Sequence, residues 1–272
     1  MTSPSTPSGQ APAITGIKTA EWSAETIKAI GDNYEGRSPE EIMRWGFDTF
    51  APHIALATGF GAEGVILMHM ASQLYREATI FYLDTDLLFK ETYRLRDQLA
   101  ERLGIKFTRI HCGVSLNQQA AEHGPALWAS DPNLCCQIRK VRPLREYLSA
   151  QNAWIAAVRR DQTKARANTG LMAWDAANGL VKLSPLAAWT SDQVWDYIRA
   201  NDLPYNPLHD EGYPSIGCWT CTRPVAEGED PRAGRWAGFA KTECGIHLQP
   251  GGVVPPARNA VGTTPTAQPK SQ

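Results

Sequence analysis

The chain has 272 residues, with 27 Lys and Arg against 28 Asp and Glu and 43% hydrophobic residues, the profile of a soluble globular protein of one or two domains. Its near-neutral charge argues against broad nucleic-acid binding, which shows itself as a basic excess. No apolar run approaches the roughly 20 residues of a membrane-spanning helix, and the opening MTSPSTPSGQAPA has neither the basic nor the apolar part of a secretory signal.

Residues 1–16 are rich in Ser, Thr and Pro, and 249–272 cannot bury enough apolar surface to offset the entropy of ordering, so both ends read as untethered. No internal repeat is present. Between the ends, short apolar runs alternate with longer amphipathic stretches. The runs 53–58 (HIALAT), 78–85 (ATIFYLDT), 105–112 (IKFTRIHC), 153–158 (AWIAAV) and 179–186 (GLVKLSPL) predict strands. Helical spacing predicts helices over 24–30, 39–50, 63–76, 87–103, 136–150 and 191–200, with Ser38-Pro39 and Thr190-Ser191 as start signals. This rhythm predicts an α/β fold, a parallel twisted sheet with helices on both faces. In such sheets ligands gather at the carboxyl ends of the strands.

The predicted strand ends carry polar chemistry. The first is followed by Thr58-Gly59-Phe60-Gly61-Ala62-Glu63-Gly64, a small turn whose backbone N–H groups can approach an oxyanion at a helix N-terminus. Glycines in that place serve close packing just as often. The turn is neither the Walker pattern, for no Lys follows the last glycine, nor G-x-G-x-x-G. Asp84-Thr85-Asp86 follows the second strand. The fourth is followed by Arg159-Arg160-Asp161-Gln162-Thr163-Lys164-Ala165-Arg166, four basic residues in eight positions, which favours an anion clamp over a charged loop.

Four of the six cysteines form a frame, the adjacent pair Cys135-Cys136 and the C-x-x-C pair Cys218 and Cys221. A single zinc ion takes tetrahedral thiolates at about 2.3 Å, and neighbouring residues aim both sulfurs at one such point only with backbone strain. An iron-sulfur cube offers each sulfur its own iron, so the frame favours a 4Fe-4S cluster over zinc or plain packing. A disulfide between neighbours needs a strained ring. Thiolate ligands imply a reducing cytoplasm. Arg139 and Lys140 directly follow the pair, where cations would offset the negative charge of a thiolate-held cluster. Cys112 reads as core; His111 and His123 read as structural or solvent-facing, the latter near enough to the cysteine pair to remain a lesser site candidate.

The segments TGFGAEG, CC followed by Arg-Lys, RRDQ, HDEGYPSIGCWTC and ECGIH occur in this order over roughly 50–247. They resemble the assimilatory, thioredoxin-dependent adenylyl-sulfate reductases, part of the larger family that includes the phosphoadenylyl-sulfate reductases. The resemblance implies an adenine nucleotide alpha-hydrolase-like sheet in which the backbone of Gly61, Ala62 and Glu63 serves as a modified PP-loop. Many relatives carry an acidic residue where Gly64 stands. It further implies one 4Fe-4S cluster per chain on Cys135, Cys136, Cys218 and Cys221, and reduction of adenylyl sulfate to sulfite and AMP in sulfate assimilation and cysteine biosynthesis. Relatives lacking those cysteines generally use the 3'-phosphorylated substrate, so their presence favours adenylyl sulfate, with phosphoadenylyl sulfate or dual use as the alternative.

The implied substrate is charged at both phosphate and sulfate. Arg139, Lys140, Arg159, Arg160, Arg166, Arg232, Arg235 and His247 are therefore the expected binding residues. Cys244 is the expected nucleophile, its thiolate favoured by Lys241 and His247 and opposed by Glu243. It would carry an S-sulfonate to thioredoxin or glutaredoxin. The chain then divides into a tail (1–20), a nucleotide-binding domain with the iron-sulfur site (21–224), a mobile catalytic segment (225–248) and a second tail (249–272), in a protein expected to form homo-oligomers. A PP-loop ATP pyrophosphatase or tRNA thiolation enzyme would show SGGxDS in place of TGFGAEG. A non-catalytic iron-sulfur sensor would leave Cys244 and the arginines without a role.

Overall fold

Helix starts are chemically marked in this chain. In the computed structural model, which describes residues 22–247, α1 (Ala24–Asn33) is capped by the Ser23 hydroxyl. A full capping box between Ser38 and Glu41, with proline at the first position, opens α2 (Pro39–Phe50). Thr190 and Gln193 do the same for α9 (Ser191–Ala200). The expected tails at 1–20 and 249–272 lie outside the described residues.

Six strands form one sheet: β1 (Ile54–Thr58), β2 (Thr79–Asp84), β3 (Phe107–His111), β4 (Ala153–Ala156), β5 (Met172–Asp175) and β6 (Leu180–Leu183), in the order β3-β2-β1-β4-β6-β5. The five predicted strands are all present, and the pairings among them are all parallel. β5 was not expected, and it runs antiparallel to β6 at the sheet edge. Its segment Met172-Ala173-Trp174-Asp175 has no β-branched residue, but the Asn178-Gly179 turn that closes the hairpin is a legible signal, with Gly179 at φ 71° and bonded back to the Asp175 carbonyl.

The period of two along the strands divides the core. Ile54, Leu56, Ile80, Ile155, Val181 and Leu183 face one side, where α1, α2, α3 (Ala62–Leu74), α4 (Lys90–Leu103) and α9 pack on them. Val65, Ile66, Leu67 and Met68 are consecutive and all buried, so α3 is wrapped on every side and its N-terminal turn is held rigidly. Each large apolar side chain buried this way stabilises the fold by roughly 1.5–3 kcal/mol. Ala55, Phe81, Trp154, Ala156 and Leu180 face the other side, where the helical cover comes from Leu144 and Leu148 of α8 (Arg142–Leu148). The second face is thus incompletely roofed.

The single helix predicted over 136–150 is interrupted. It appears as α7 (Pro132–Cys136), a π-helical turn Gln137–Val141, and α8. Pro143 offers no N–H to the carbonyl four residues back, and the widened turn upstream accommodates that lost rung. Two short helices missed from sequence, α5 (Leu116–His123) and α6 (Leu127–Ser130), lead from β3 to the cysteine pair. Among the described residues no helix is long and apolar enough to cross a membrane.

Candidate active site

The unroofed part of the sheet is the floor of a cavity of about 240 Å³ at the carboxyl ends of β1, β2 and β4. Ala57 and Ala156 keep the floor low, Phe81 and Trp154 flank them, and Lys140 and Leu144 form one wall. The glycine turn forms another. Phe60 takes φ 60°, its N–H bonds the Thr58 hydroxyl at 3.0 Å, and Gly61 caps α3 without a side-chain acceptor, leaving the helix N–H groups open. A Cβ at Gly64 would lie 2.7 Å from the Thr58 hydroxyl, which explains glycine at that position in this chain. The Glu63 carboxylate turns away from solvent and accepts from Arg159 Nε at 2.9 Å and Gln162 Nε2 at 3.0 Å.

Residues 225–247 cross the cavity as a strap without helix or strand. Within it, Arg232, Arg235, Cys244 and His247 line the cavity beside Lys140 and Arg166. Arg166 Nε and Nη2 donate to the two Glu243 carboxylate oxygens at 2.8 and 2.7 Å, and Arg232 adds a third contact at 3.3 Å. Glu243, expected to oppose a Cys244 thiolate, is therefore offset by two guanidinium groups. Lys241, expected to favour that thiolate, is buried instead against Asn133 Oδ1 at 2.6 Å and over the Trp236 ring. Arg235 packs on Gly217 so closely that a Cβ there would meet its guanidinium at 2.2 Å. Arg232 Nε and Arg235 Nε are buried without an acceptor among the described residues. Buried donors are ordinarily paired, so these two are exceptions in the wall of the cavity. Burial lowers the pKa of Arg232, with Glu243 acting in the opposite direction.

Three of the expected binding residues do not line this cavity. Arg139 is fully buried and spends its guanidinium on Gln119 Oε1 (2.7 Å), Asp86 (3.0 Å) and the Thr85 and Val114 carbonyls. Arg159 is clamped between Glu63 and Asp161 and faces a neighbouring cavity. Arg160 points outward to Glu35 and the Thr169 carbonyl. Each was matched by a local carboxylate or carbonyl that spacing alone did not reveal. His111 bonds Asp86 at 2.8 Å, and His123 lines a separate cavity with Leu134 and Arg142. Cys112, expected in the core, is half-buried and lies 3.8 Å from Arg139 Nη1.

Cys135, Cys136, Cys218 and Cys221 line one small cavity with Thr85, Arg139 and Lys140. All four are free, and the Thr85 hydroxyl lies 3.3 Å from Cys218 Sγ. Among the described residues no three His, Cys, Asp or Glu side chains converge to hold one ion. Two of them are reluctant acids as thiols: burial, with the neighbouring cysteines, pushes Cys135 up to about 12, and burial pushes Cys136 up to about 11. For Cys218 burial acts upward too, but Lys140, Thr85 and Arg235 outweigh it. Lys140 lines both cavities. Burial disfavours its charge, but Cys218, Cys136 and Cys244 together hold its pKa above the ordinary value.

The family model for the phosphoadenosine phosphosulfate reductase domain matches residues 53–224. The adenosine 5'-phosphosulfate reductase of Salinibacter ruber is 48% identical over 230 residues, covering 84% of this chain and 91% of that relative. The chain belongs to the phosphoadenosine phosphosulfate reductase family. The adenosine 5'-phosphosulfate reductase of Staphylococcus haemolyticus is 45% identical over 223 residues, 82% of this chain and 92% of its own. Among solved structures, the phosphoadenylyl-sulfate reductase of Candida auris in a phosphate complex is 32% identical with a TM-score of 0.65, covering 73% of this chain and 97% of that one.

In this family member the matched domain ends before the strap that carries Cys244. Sequence reading missed the strap's seat. His247 stacks on Trp154 with ring centroids 5.7 Å apart, and its Nδ1 lies 3.3 Å from Lys182 Nζ. A lysine inside the predicted strand 179–186 was the available signal, since an ammonium on a buried face requires a partner.

Proposed function

We propose that this protein is a thiol-dependent adenylyl-sulfate reductase of sulfate assimilation and cysteine biosynthesis, making sulfite and AMP through an S-sulfonate on Cys244. The observation that carries this reading is the meeting of Cys244, Lys140, Arg232 and Arg235 in one cavity bordered by the open N-terminus of α3. Cationic surroundings let a thiolate approach an anionic sulfate, and fixed donors stabilise charge as it moves to the leaving group. The Cys244 sulfur bonds to the sulfate sulfur while the bridging S–O bond breaks, and AMP leaves with that electron pair. A donor thiolate, from thioredoxin or glutaredoxin, then attacks Cys244 Sγ. Sulfite departs with the S–S electron pair and a mixed disulfide remains. The donor's second thiol resolves it, restoring Cys244 and leaving the donor oxidised.

Cys135, Cys136, Cys218 and Cys221, four free thiols lining one small cavity, fit a 4Fe-4S cluster, one per chain, in which each of the adjacent sulfurs has its own iron. Because the donor thiols carry both electrons, such a cluster would supply rigidity and charge beside Lys140. This thiol chemistry belongs in a reducing cytoplasm. Self-association, expected from the resemblance, completes the proposal.

The test is incubation with adenylyl sulfate without reductant. One AMP should be released per site, and Cys244 should gain about 80 Da, one SO3 group, removable by thioredoxin as sulfite. A sulfonate on any other cysteine, or a requirement for ATP, would overturn the reading. In steady state kcat/KM should favour adenylyl sulfate over its 3'-phosphorylated form by about tenfold or more, roughly 1.4 kcal/mol. Equal use or the reverse order would return the chain to the phosphoadenylyl-sulfate alternative.

A further inference from the structure

Lys182 is a cation on a largely apolar face of the sheet that it shares with the Asp175 carboxylate. The register pairs it with Trp154 on β4, and both side chains lie on the face beneath the strap. Its Nζ is 5.0 Å from the Trp154 ring centroid and 3.3 Å from His247 Nδ1. Trp154 is fully buried and fixed by its own N–H to Asp175 Oδ2 at 3.1 Å, and the His247 ring lies nearly parallel to it, at 16°. The imidazole is thus held by its face on Trp154 and by one nitrogen on Lys182.

We propose that Lys182 is a positioning residue that sets the tautomer of His247, so that the ring presents an Nε2–H donor to the active-site cavity. An ammonium has three donors and no acceptor, whereas a neutral imidazole has one of each. With Lys182 donating to Nδ1, the ring proton must sit on Nε2, the remaining polar atom of a side chain that lines the cavity. The ring is neutral: burial, then Lys182, Arg166 and Arg232, hold its pKa well below the ordinary histidine value. Burial and Arg166 push Lys182 down to about 8, with Asp175, Glu243 and Cys244 acting against them, so it stays largely protonated near neutrality. His247 stands three positions after Cys244 on the same strap, so its donor acts at the reacting end of the substrate. This last step rests on the reductase reading; the tautomer assignment does not.

Full-length protein labelled with 15N-histidine decides the matter, with the His247 signals assigned through His247→Gln. Near pH 7 the wild type should show an unprotonated Nδ1 and a protonated Nε2. Lys182→Met, which keeps the stem and removes the donor, should shift this toward Nδ1–H and slow single-turnover S-sulfonation by about tenfold or more. Its AMP affinity should stay within about twofold of wild type, since AMP lacks the sulfo group. Lys182→Arg, which restores a donor, should recover both tautomer and rate. A protonated Nδ1 in wild type overturns the proposal even if the methionine variant does not fold. A methionine variant with the wild-type tautomer and rate, or an arginine variant as slow as the methionine one, does the same. Should the wild type form no S-sulfonate, the reductase reading fails while the nitrogen signals still decide the role of Lys182.

Discussion

The cavity that gathers Cys135, Cys136, Cys218 and Cys221 and the cavity that gathers Cys244 share Lys140 and Trp236, yet they are held by different means. Around the first, backbone geometry does most of the positioning. α7 presents Cys135 and Cys136 just ahead of the π turn, and the Trp219 N–H bonds the Leu87 carbonyl at 2.8 Å to dock the Cys218–Cys221 turn on the loop after β2. Around the second, charge does it. The strap has no regular structure and is tied down by Arg166, Arg232 and Glu243. Backbone-held sulfurs suit a fixed prosthetic group. An ion-paired strap suits a nucleophile that must first meet a buried substrate and then a second protein, because an incoming anion can compete for the same guanidinium groups.

The sharpest break between the two regions is a pair of cysteine replacements. Cys244→Ser should abolish S-sulfonate and sulfite formation while leaving iron content and nucleotide binding at wild-type levels, because a serine hydroxyl is barely ionised near neutrality and its sulfate ester resists thiol exchange. Cys136→Ser should lose iron and activity together, from about four irons per chain. Metal analysis beside activity reads both. A Cys244→Ser protein without iron, or a Cys136→Ser protein with full iron and turnover, would erase the distinction.

Arg166→Ala comes next in size. It removes the bidentate partner of Glu243, leaving a buried carboxylate with only the Arg232 contact, and it deletes a cation from the substrate cavity. Charge-assisted bonds of this kind are worth about 1.5–3 kcal/mol, so the dissociation constant for adenylyl sulfate, measured in a Cys244→Ser background, should rise roughly tenfold or more. Iron content should not change. Limited proteolysis should cut the 225–247 strap faster than in the parent, since its tie is gone. An unchanged dissociation constant would confine Arg166 to a structural tie.

How much of this was legible follows the same division. The parallel strands, the glycine turn and the cysteine frame are local patterns, written in period, spacing and residue type. β5 was missed because Met172-Ala173-Trp174-Asp175 has no β-branched residue and ends on a carboxylate, and the π turn because Pro143 lies beyond the widened segment. The charged residues were only partly legible. The run from Arg159 to Arg166 shows four cations, but their partners Glu63, Glu35 and Glu243 lie between 77 and 125 positions away along the chain. Which cation is left for a ligand depends on which carboxylate the fold brings near each one, and that is a tertiary fact.

Arg160 gives the smallest expected effect and the cleanest test of that point. Its charge and its place beside Arg159 made it a candidate for the anion clamp, but its guanidinium pairs with Glu35 between α1 and α2, and Nε donates to the Thr169 carbonyl at 2.8 Å. The Arg160 and Glu35 side chains are 32% and 43% exposed, so solvent screens the pair and its worth is below about 1 kcal/mol. Arg160→Ala should therefore leave nucleotide affinity, iron content and S-sulfonation at wild-type values and lower the chemical-denaturation midpoint slightly. A tenfold loss of affinity with unchanged stability would mean that Arg160 leaves Glu35 when substrate binds, and that cations beyond those now lining the cavity are recruited by the ligand.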